Sequence, residues 1–164
     1  MKTISLIIPT YNEEKNIFPL YEKLTALVLN PFKDRYNFEI LFINDGSQDK
    51  TADVIEKLAS SHPEVSFINF SRNFGKEIAT TAGLNYCSGD ACLMLDADLQ
   101  HPIELVPQFI QKWEAGYEVV IGIRKNNAGG FWKTLGAKLF YSILIRFQRL
   151  KLFQVQPIFV YLIA

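Results

Sequence analysis

The sequence predicts an α/β fold in which helices cover both faces of a mostly parallel β-sheet. Short apolar runs alternate with amphipathic helical stretches along the 164 residues, and the runs are apolar throughout rather than at every second position. Strands of a parallel sheet have this composition because both of their faces are buried, and helices form the crossovers between them. Hydrophobic residues make up 49% of the chain, which is enough apolar material for a buried core.

Each predicted element follows from its own residue pattern. Five apolar runs bounded by polar residues are predicted as strands: 4–8, 38–43, 65–70, 91–95 and 118–123. Four stretches with apolar residues at helical spacing are predicted as helices: 14–29, 51–60, 76–86 and 103–115. Residues 127–130, Asn-Ala-Gly-Gly, predict a loop, and a longer helix is expected over 131–150.

Composition excludes several classes of function. The 17 basic residues equal the 17 acidic ones, so a nucleic-acid-binding surface is not expected. Cys87 and Cys92 are too few for a disulfide framework, and they are interpreted as reduced thiols of a cytosolic protein. The phosphate-binding glycine motifs of dinucleotide and P-loop folds are missing, as is the G-x-S-x-G motif of serine hydrolases.

The hydrophobic segments of the sequence predict neither a signal peptide nor a membrane-spanning helix. Residues 4–9 are too short for a signal peptide, and no apolar run approaches the roughly 20 residues of a membrane-spanning helix. Aromatic and basic residues are mixed over 131–150, which indicates a helix at a membrane surface, with an ordinary helix packed on its own sheet as the alternative. Residues 158–164 are all apolar, and we expect the chain to be truncated there.

Polar and acidic residues recur directly after four predicted strands, in segments 9–13, 44–47, 71–75 and 96–98. Ligands of parallel sheets bind at the carboxyl ends of the strands. This recurrence is the main functional signal in the sequence.

The Asp96-Ala97-Asp98 segment is a candidate metal site. Residues two apart in an extended backbone point to the same side, so both carboxylates can face one ion. Such hard oxygen ligands suit Mg²⁺ or Mn²⁺ shared with a substrate diphosphate. The alternative is a solvated acidic turn, in which His101 shapes the entry into the next helix.

Three further segments allow both a binding and a purely structural interpretation. Asp45 can accept hydrogen bonds from a nucleobase or ribose, although a turn at Gly46 with a helix cap at Ser47 or Asp49 would also explain its segment. Tyr11 and Glu13 can face a base, or they can form a plain strand-to-helix turn. The third segment contains two basic residues, Arg72 and Lys76. They can bind a diphosphate, or they can pair with neighbouring carboxylates.

Together these segments resemble the family 2 glycosyltransferases of the GT-A fold. The resemblance looks closest to the branch that transfers a sugar from a nucleotide to polyprenyl phosphate, which comprises dolichyl-phosphate mannose synthases and bactoprenol glucosyltransferases. It runs in order from about residue 3 to residue 147 and rests on residues 9–14, 44–47, 72–77, 96–102 and 122–124. Asn44 departs from the aspartate that is commoner at its position.

The resemblance implies a GT-A Rossmann-like domain and a role for each matching residue. Nucleotide binding would involve Pro9, Tyr11, Glu13, Asp45, Lys76 and Asp96. The Mg²⁺ or Mn²⁺ ion would be held by Asp96, Asp98 and Gln100, and the catalytic residues would be Asp98 and Arg124. The acceptor phosphate would meet Lys133 and Lys138.

The resemblance also implies a domain layout and partners. Residues 3–125 would form the nucleotide-sugar-binding core, 126–150 the amphipathic helix region, and 151–164 an atypical tail, truncated or frameshifted, without the acceptor motif of the branch. The expected partners are a nucleotide-sugar donor of UDP-glucose or GDP-mannose type, a polyprenyl-phosphate acceptor and the cytoplasmic face of the membrane. A homo-oligomer stays open, and nucleic acid is not expected.

Three functions follow as hypotheses. The first is a metal-dependent, inverting glycosyltransferase that acts on polyprenyl phosphate. The second is an inactive nucleotide-binding fragment that lacks the acceptor half of the site. The third is a phosphoacceptor signalling domain that uses Asp45 or Asp96 at a strand end.

Overall fold

The computed structural model describes residues 1–99, 102–123 and 158–163. The chain divides into two compact units, residues 1–122 with 157–164 and residues 123–156, and the description below concerns the first unit. Its strands are β1 (Lys2–Thr10), β2 (Tyr36–Asn44), β3 (Val65–Asn69), β4 (Ala91–Met94), β5 (Val120–Ile123) and β6 (Ile158–Ile163). Its helices are α1 (Ile17–Leu24), α2 (Asn30–Phe32), α3 (Thr51–Ser61), α4 (Lys76–Tyr86) and α5 (Val106–Glu114). A π-helical turn, Thr25–Leu29, joins α1 to α2, and a 3₁₀ turn, Ile103–Leu105, precedes α5.

The strands form one sheet in the order β3-β2-β1-β4-β6-β5. Strand β1 pairs in parallel with β2 on one side and with β4 on the other, and β2 pairs in parallel with β3. The carboxyl ends of these four strands therefore lie at one edge of the sheet, where the sequence predicts the site. The prediction of an α/β fold with a mostly parallel sheet is confirmed.

The two faces of the sheet are covered by different helices because side chains alternate along each strand. On one face, Leu6 and Ile8 of β1 are fully buried in a core that also contains residues of α1, α3 and α5. On the other face, Ile7 packs in a second core that includes Ala79 of α4. Helix α4 lies close to this face, since a Cβ at Gly83 would fall 2.8 Å from the Cδ1 of Ile43.

Strand β6 is the one described strand that the sequence analysis did not assign. It pairs in parallel with β4, with Ala91 opposite Ile158 and Leu93 opposite Val160. The sequence analysis had set these apolar residues apart as part of an atypical tail. Within the described ranges, no helix is both long enough and apolar enough to cross a membrane.

Candidate functional site

The strand-end segments meet in one open cleft of about 400 Å³ at the carboxyl edge of the sheet. Seven of the described candidate residues line it: Pro9, Tyr11, Glu13, Asp45, Lys76, Asp96 and Asp98. Arg72, the other basic candidate near the expected diphosphate, is not among the lining residues. The cleft lining also includes residues that the sequence analysis did not single out: Thr10, Asn73, Gly75, Ala79 and Ala97. Of these, Asn73 is an exposed polar residue in a segment that the sequence analysis had marked, and its position there was the available signal. The candidates Gln100, Arg124, Lys133 and Lys138 lie outside the described residues.

The turn after β1 presents Tyr11 to the cleft, with 41% of this residue exposed. The next residue, Asn12, has a φ of 57°, a left-handed conformation that asparagine tolerates better than most residues. Its backbone N–H donates to the Ser47 hydroxyl at 3.0 Å, and its side-chain oxygen accepts from the backbone N–H of Gln48 at 2.8 Å. Asn12 therefore joins the turn after β1 to the turn after β2 through one backbone and one side-chain hydrogen bond.

A second set of hydrogen bonds joins the same two turns beside α3. The backbone N–H of Glu13 donates to the Thr51 hydroxyl at 2.8 Å, and that hydroxyl donates to Asp49 Oδ1 at 2.5 Å. Asp49 Oδ2 accepts from the backbone N–H of Glu14 at 3.3 Å. Partial burial raises the pKa of Asp49, but the hydrogen bonds from the Thr51 side chain and from backbone N–H groups outweigh it and lower this pKa below its ordinary value.

The sequence predicts a helix cap at Ser47 or Asp49, but the N-cap residue of α3 is Lys50, which forms no side-chain capping hydrogen bond. Asp49 does accept a hydrogen bond from the backbone N–H of Thr51, the first residue of α3, at 3.0 Å. Both side chains also bind backbone N–H groups of the turn after β1. Ser47 and Asp49 therefore hold the turn that carries Tyr11 and Glu13, and only Asp49 also contacts the start of α3.

Asp45 is a buried anchor for the loop that precedes α4. Only 3% of this residue is exposed, although it lines the cleft. Its Oδ1 accepts from the backbone N–H of Phe74 at 2.7 Å, and its Oδ2 accepts from that of Gly75 at 2.9 Å. Hydrogen bonds to an ionised group are among the stronger ones, so Asp45 fixes the start of α4 firmly. Because both of its oxygens accept these backbone hydrogen bonds, Asp45 is poorly placed to be the phosphoacceptor of a signalling domain.

Gly46 lets the loop between β3 and α4 lie directly against the end of β2. Its φ is +64°, in the left-handed region that favours glycine. A Cβ at this position would lie 2.6 Å from the Cα of Arg72 and 2.7 Å from the backbone nitrogen of Asn73. The residue thus meets two independent requirements, a turn conformation and a close approach of two backbones.

Asn44 forms a hydrogen bond that an aspartate at its position could not donate. It is 3% exposed, and its side-chain Nδ2 donates to the Oδ1 of Asn69 at 3.0 Å. A carboxylate could not donate this hydrogen bond between the ends of β2 and β3. The Oδ1 of Asn44 also accepts from the backbone N–H of Ser47 at 3.1 Å, which helps to shape the turn.

The two basic residues of the third segment have different surroundings. The Lys76 ammonium forms an ion pair with Asp96, with 2.5 Å between Nζ and Oδ1. The Arg72 guanidinium lies over the ring of Phe74 at 4.8 Å from its centre, and Phe74 contacts Phe70 edge to face. From the sequence, either basic side chain could pair with a neighbouring carboxylate. The structure shows this pairing for Lys76.

The cleft is strongly acidic. Among the described residues that line it, four carry carboxylates and one carries a positive charge: Glu13, Asp45, Asp96 and Asp98 against Lys76. A diphosphate would be repelled by this charge unless a cation came with it.

The donor set of the cleft fits a Mg²⁺ or Mn²⁺ ion that is shared with a ligand. Asp96 and Asp98 both line the cleft and supply hard carboxylate oxygens. Mg²⁺ typically takes one or two protein carboxylates and completes its coordination with waters and substrate phosphates. In the described part of the chain, no three His, Cys, Asp or Glu side chains converge as a ready-made metal site.

A second cavity of about 370 Å³ lies at the opposite edge of the sheet, where β1 and β2 begin. It is lined by Lys2, Tyr36, Trp113, Glu114, Gly116, Tyr117 and Glu118. The hydroxyl of Tyr36 donates to Glu114 at 2.7 Å, and Lys2 lies over the Trp113 ring. None of the described candidate residues lines this cavity.

Comparison with known proteins gives a family match over nearly the whole chain. The model of the family described as glycosyl transferase family 2 matches residues 5–162. The match therefore includes β6 and most of the tail that the sequence analysis set apart.

Curated relatives are similar at the level of sequence. The bactoprenol glucosyl transferase of Shigella phage SfV is 45% identical over 141 residues, which are 85% of this chain and 45% of that protein. The uncharacterized glycosyltransferase sll0501 of Synechocystis is 42% identical over 150 residues, which are 91% of this chain and 46% of that protein. The chain thus spans less than half the length of these relatives.

Solved structures share the fold at lower identity. S. aureus TarS 1–349 in complex with UDP superposes with a TM-score of 0.58 at 24% identity, covering 79% of this chain and 38% of that one. The mannosyltransferase PcManGT of Pyrobaculum calidifontis, in complex with GDP-Man and Mn²⁺, gives a TM-score of 0.55 at 23% identity, covering 86% and 38%. The GT-A fold that the resemblance implies is confirmed, and with the match over residues 5–162 the chain belongs to glycosyl transferase family 2.

Proposed function

We propose that this chain binds a nucleotide-sugar donor in the cleft and forms the donor-binding part of an inverting glycosyltransferase that acts on polyprenyl phosphate. The observation that carries the proposal is the meeting of Asp45, Asp96, Asp98 and Lys76 in one cleft at the carboxyl edge of a parallel sheet. Support comes from a relative named bactoprenol glucosyl transferase and from solved neighbours that hold UDP or GDP-Man.

The nucleoside would lie along the turns after β1 and β2. The exposed ring of Tyr11 offers a flat surface for a base, and Pro9 and Glu13 line the cleft beside it. Asp45 contributes through its position, because it binds the backbone N–H groups of Phe74 and Gly75, and Gly75 lines the cleft. The backbone hydrogen bonds of Asn12 and Glu13 would keep this half of the site ordered before the donor arrives.

The diphosphate would lie beside Asp96, Asp98 and Lys76. Asp96 and Asp98, with Gln100, would hold the Mg²⁺ or Mn²⁺ ion, which when bound offsets the negative charge that grows on the leaving nucleoside diphosphate. Lys76 lies within ion-pair distance of Asp96, so its ammonium would also contact the diphosphate oxygens of the donor. The acidic walls of the cleft would then attract the metal complex of the donor more strongly than the free nucleotide.

The acceptor would be a lipid phosphate. A phosphate monoester is largely ionised near neutral pH, since its second pKa is about 6, so it needs positioning more than a strong general base. Lys133 and Lys138 would supply positive charge to this phosphate, and Arg124 would meet a phosphate of the donor or of the acceptor. Residues 126–150 would rest on the cytoplasmic surface of the membrane. Attack from the face opposite the leaving group would invert the anomeric centre.

A ligand-binding screen tests the proposal. We expect UDP-glucose or GDP-mannose to raise the Tm of the chain when Mn²⁺ is present, and to raise it much less when EDTA is present. A ligand at 100 times its Kd stabilises the native state by about 2.7 kcal/mol, which is readily measured as a shift in Tm. Glucose 1-phosphate with Mn²⁺ is the control, because it lacks the nucleoside that the turns after β1 and β2 would bind.

Donor binding and sugar transfer are measured separately, because the chain spans less than half the length of its curated relatives. Radiolabelled sugar recovered on a polyprenyl phosphate in detergent would support the full reaction. Binding without transfer would favour the hypothesis of an inactive nucleotide-binding fragment. The absence of any Mn²⁺-dependent binding across both nucleotide classes would contradict the proposal.

A further inference from the structure

Two cysteines lie side by side at a distance from the cleft. Cys87 directly follows α4, and Cys92 lies in β4. Their sulfur atoms are 3.0 Å apart, and both residues are free thiols. A disulfide bond has a sulfur–sulfur distance of about 2.05 Å, so the two atoms need to approach by only about 1 Å to be joined.

The turn between the cysteines is held firmly against the sheet. The backbone N–H of Ser88 donates to the Glu39 carboxylate at 2.9 Å, and that of Gly89 donates to the Ser5 hydroxyl at 2.9 Å. The backbone N–H of Asp90 donates to the carbonyl of Thr3 at 2.8 Å. These bonds hold the loop between the cysteines and so keep the sulfur atoms close.

The close packing of Gly89 reinforces this arrangement. A Cβ on this glycine would lie 2.6 Å from the Ser5 hydroxyl oxygen and 2.9 Å from the carbonyl oxygen of Ala91. The turn therefore packs tightly against β1, with no space for a larger side chain at position 89. The dithiol is preorganised by its surroundings rather than brought together by chance in a mobile loop.

The two thiols differ in accessibility. Cys92 is only 1% exposed, whereas Cys87 is partly exposed at the surface. Burial raises the pKa of the Cys92 thiol, and the contact with Cys87 raises it further. A reagent in solution therefore meets Cys87 first, and Cys92 is placed to react afterwards with whatever Cys87 has become.

We propose that Cys87 and Cys92 are a site of reversible oxidation that closes to an intramolecular disulfide on exposure to a low-molecular-weight disulfide such as glutathione disulfide. The Cys87 thiolate attacks one sulfur of glutathione disulfide and releases one glutathione as its thiolate. The Cys92 thiol then gives up its proton and attacks the Cys87 sulfur of the mixed disulfide, which expels the second glutathione. Two protein thiols are oxidised, and one glutathione disulfide is reduced to two thiols.

The disulfide would connect two elements that lead to the cleft. Helix α4 begins at Lys76 and ends just before Cys87, whereas β4 contains Cys92 and runs toward Asp96. The cross-link would fix one end of α4 to β4, while the Lys76–Asp96 ion pair joins them at the other end. The proposal itself does not depend on the proposed function, because it concerns only the two thiols and their surroundings.

The test is intact-mass spectrometry of the full chain after incubation with glutathione disulfide under native conditions. The unaltered chain is expected to lose two hydrogens and to carry no glutathione. Cys92→Ala is expected to retain one glutathione on Cys87. Cys87→Ala is expected to form a glutathione adduct at least tenfold more slowly than Cys92→Ala. A stable glutathione adduct on the unaltered chain, or a disulfide between two chains, would overturn the proposal.

A second measurement uses no variant, so it stands even if Cys92→Ala fails to fold. The native chain is oxidised, treated with iodoacetamide, digested without reductant by a protease that cleaves at Asp90, between the two cysteines, and analysed as peptides. We expect a linked peptide pair that contains Cys87 and Cys92, and this pair should separate after reduction. Full alkylation of Cys87 after the oxidation step would contradict the proposed disulfide.

Discussion

Asp98→Ala is expected to abolish the Mn²⁺-dependent part of nucleotide-sugar binding while the fold stays intact. Asp98 and Asp96 both line the cleft, and their carboxylates are the ones proposed to hold the ion. Mutation of groups that merely support a metal ligand typically costs 10- to 100-fold in affinity, so loss of a ligand is expected to cost about 100-fold or more. Calorimetric titration of UDP-glucose and GDP-mannose, with Mn²⁺ and with EDTA, measures this loss.

Asp34→Ala is the matched control for this substitution. Asp34 is an exposed aspartate that precedes β2, so it lies toward the edge of the sheet where the strands begin. It removes the same charge from the chain without touching the cleft, and its donor affinity is expected to equal that of the unaltered chain. If Asp34→Ala and Asp98→Ala weaken binding equally, the effect is one of net charge, and the role proposed for Asp98 is wrong.

Gly46→Ala is expected to destabilise the chain and to weaken donor binding together. Forcing a non-glycine residue into an unfavourable backbone region costs about 1–3 kcal/mol, and overpacking costs about as much again, so the free energy of unfolding is expected to fall by about 3 kcal/mol. The new methyl group would push against the backbone of Arg72 and Asn73 and displace the loop that leads to Lys76. Urea denaturation measures the first effect, and calorimetric titration of the donor measures the second.

Gly116→Ala separates the steric part of this effect from the conformational part. Gly116 also has a positive φ, of 89°, but a Cβ there would meet nothing within 4 Å. It is expected to lose about 1 kcal/mol of stability from backbone strain and to bind the donor unchanged. Equal losses of stability in the two variants, with donor binding preserved in both, would show that the close approach at Gly46 does not position the cleft.

The fold was largely predictable because it depends on short-range patterns. Continuous apolar runs coincide with strands β1 to β5, and helical spacing coincides with α1, α3, α4 and α5, within a few residues at each end. Strand β6 was not assigned, because its continuous apolar run was interpreted as part of an atypical tail, and such a run alone does not distinguish a buried strand from another hydrophobic segment. Its pairing with β4, about 65 residues earlier in the chain, is a tertiary property.

The sequence was enough to predict that the site residues lie at one edge of the sheet. It was not enough to predict the hydrogen bonds between them. The rule that ligands bind at the carboxyl ends of parallel strands is enough to bring Tyr11, Asp45 and Asp96 to one edge. It does not say that both oxygens of Asp45 accept backbone hydrogen bonds from residues 29 and 30 positions away. Such contacts depend on the exact approach of two loops, which no local pattern encodes.

The roles of individual residues remain predictions for the same reason. Lys76 illustrates this, because its sequence position allowed a phosphate contact or an ion pair with a carboxylate. The structure contains the ion pair with Asp96. Its contact with a diphosphate is a proposal that rests on the charge of the cleft.

Paramagnetic broadening by Mn²⁺ tests most directly whether the acidic cleft holds a metal-bound donor. Amide spectra of the ¹⁵N-labelled chain would be recorded with saturating nucleotide sugar and Mg²⁺, and then with a small fraction of Mn²⁺ in its place. We expect selective loss of signals from residues 10–13, 73–76 and 96–98, while those from residues 113–118 at the second cavity persist. Selective loss around the second cavity, or uniform loss along the chain, would contradict it.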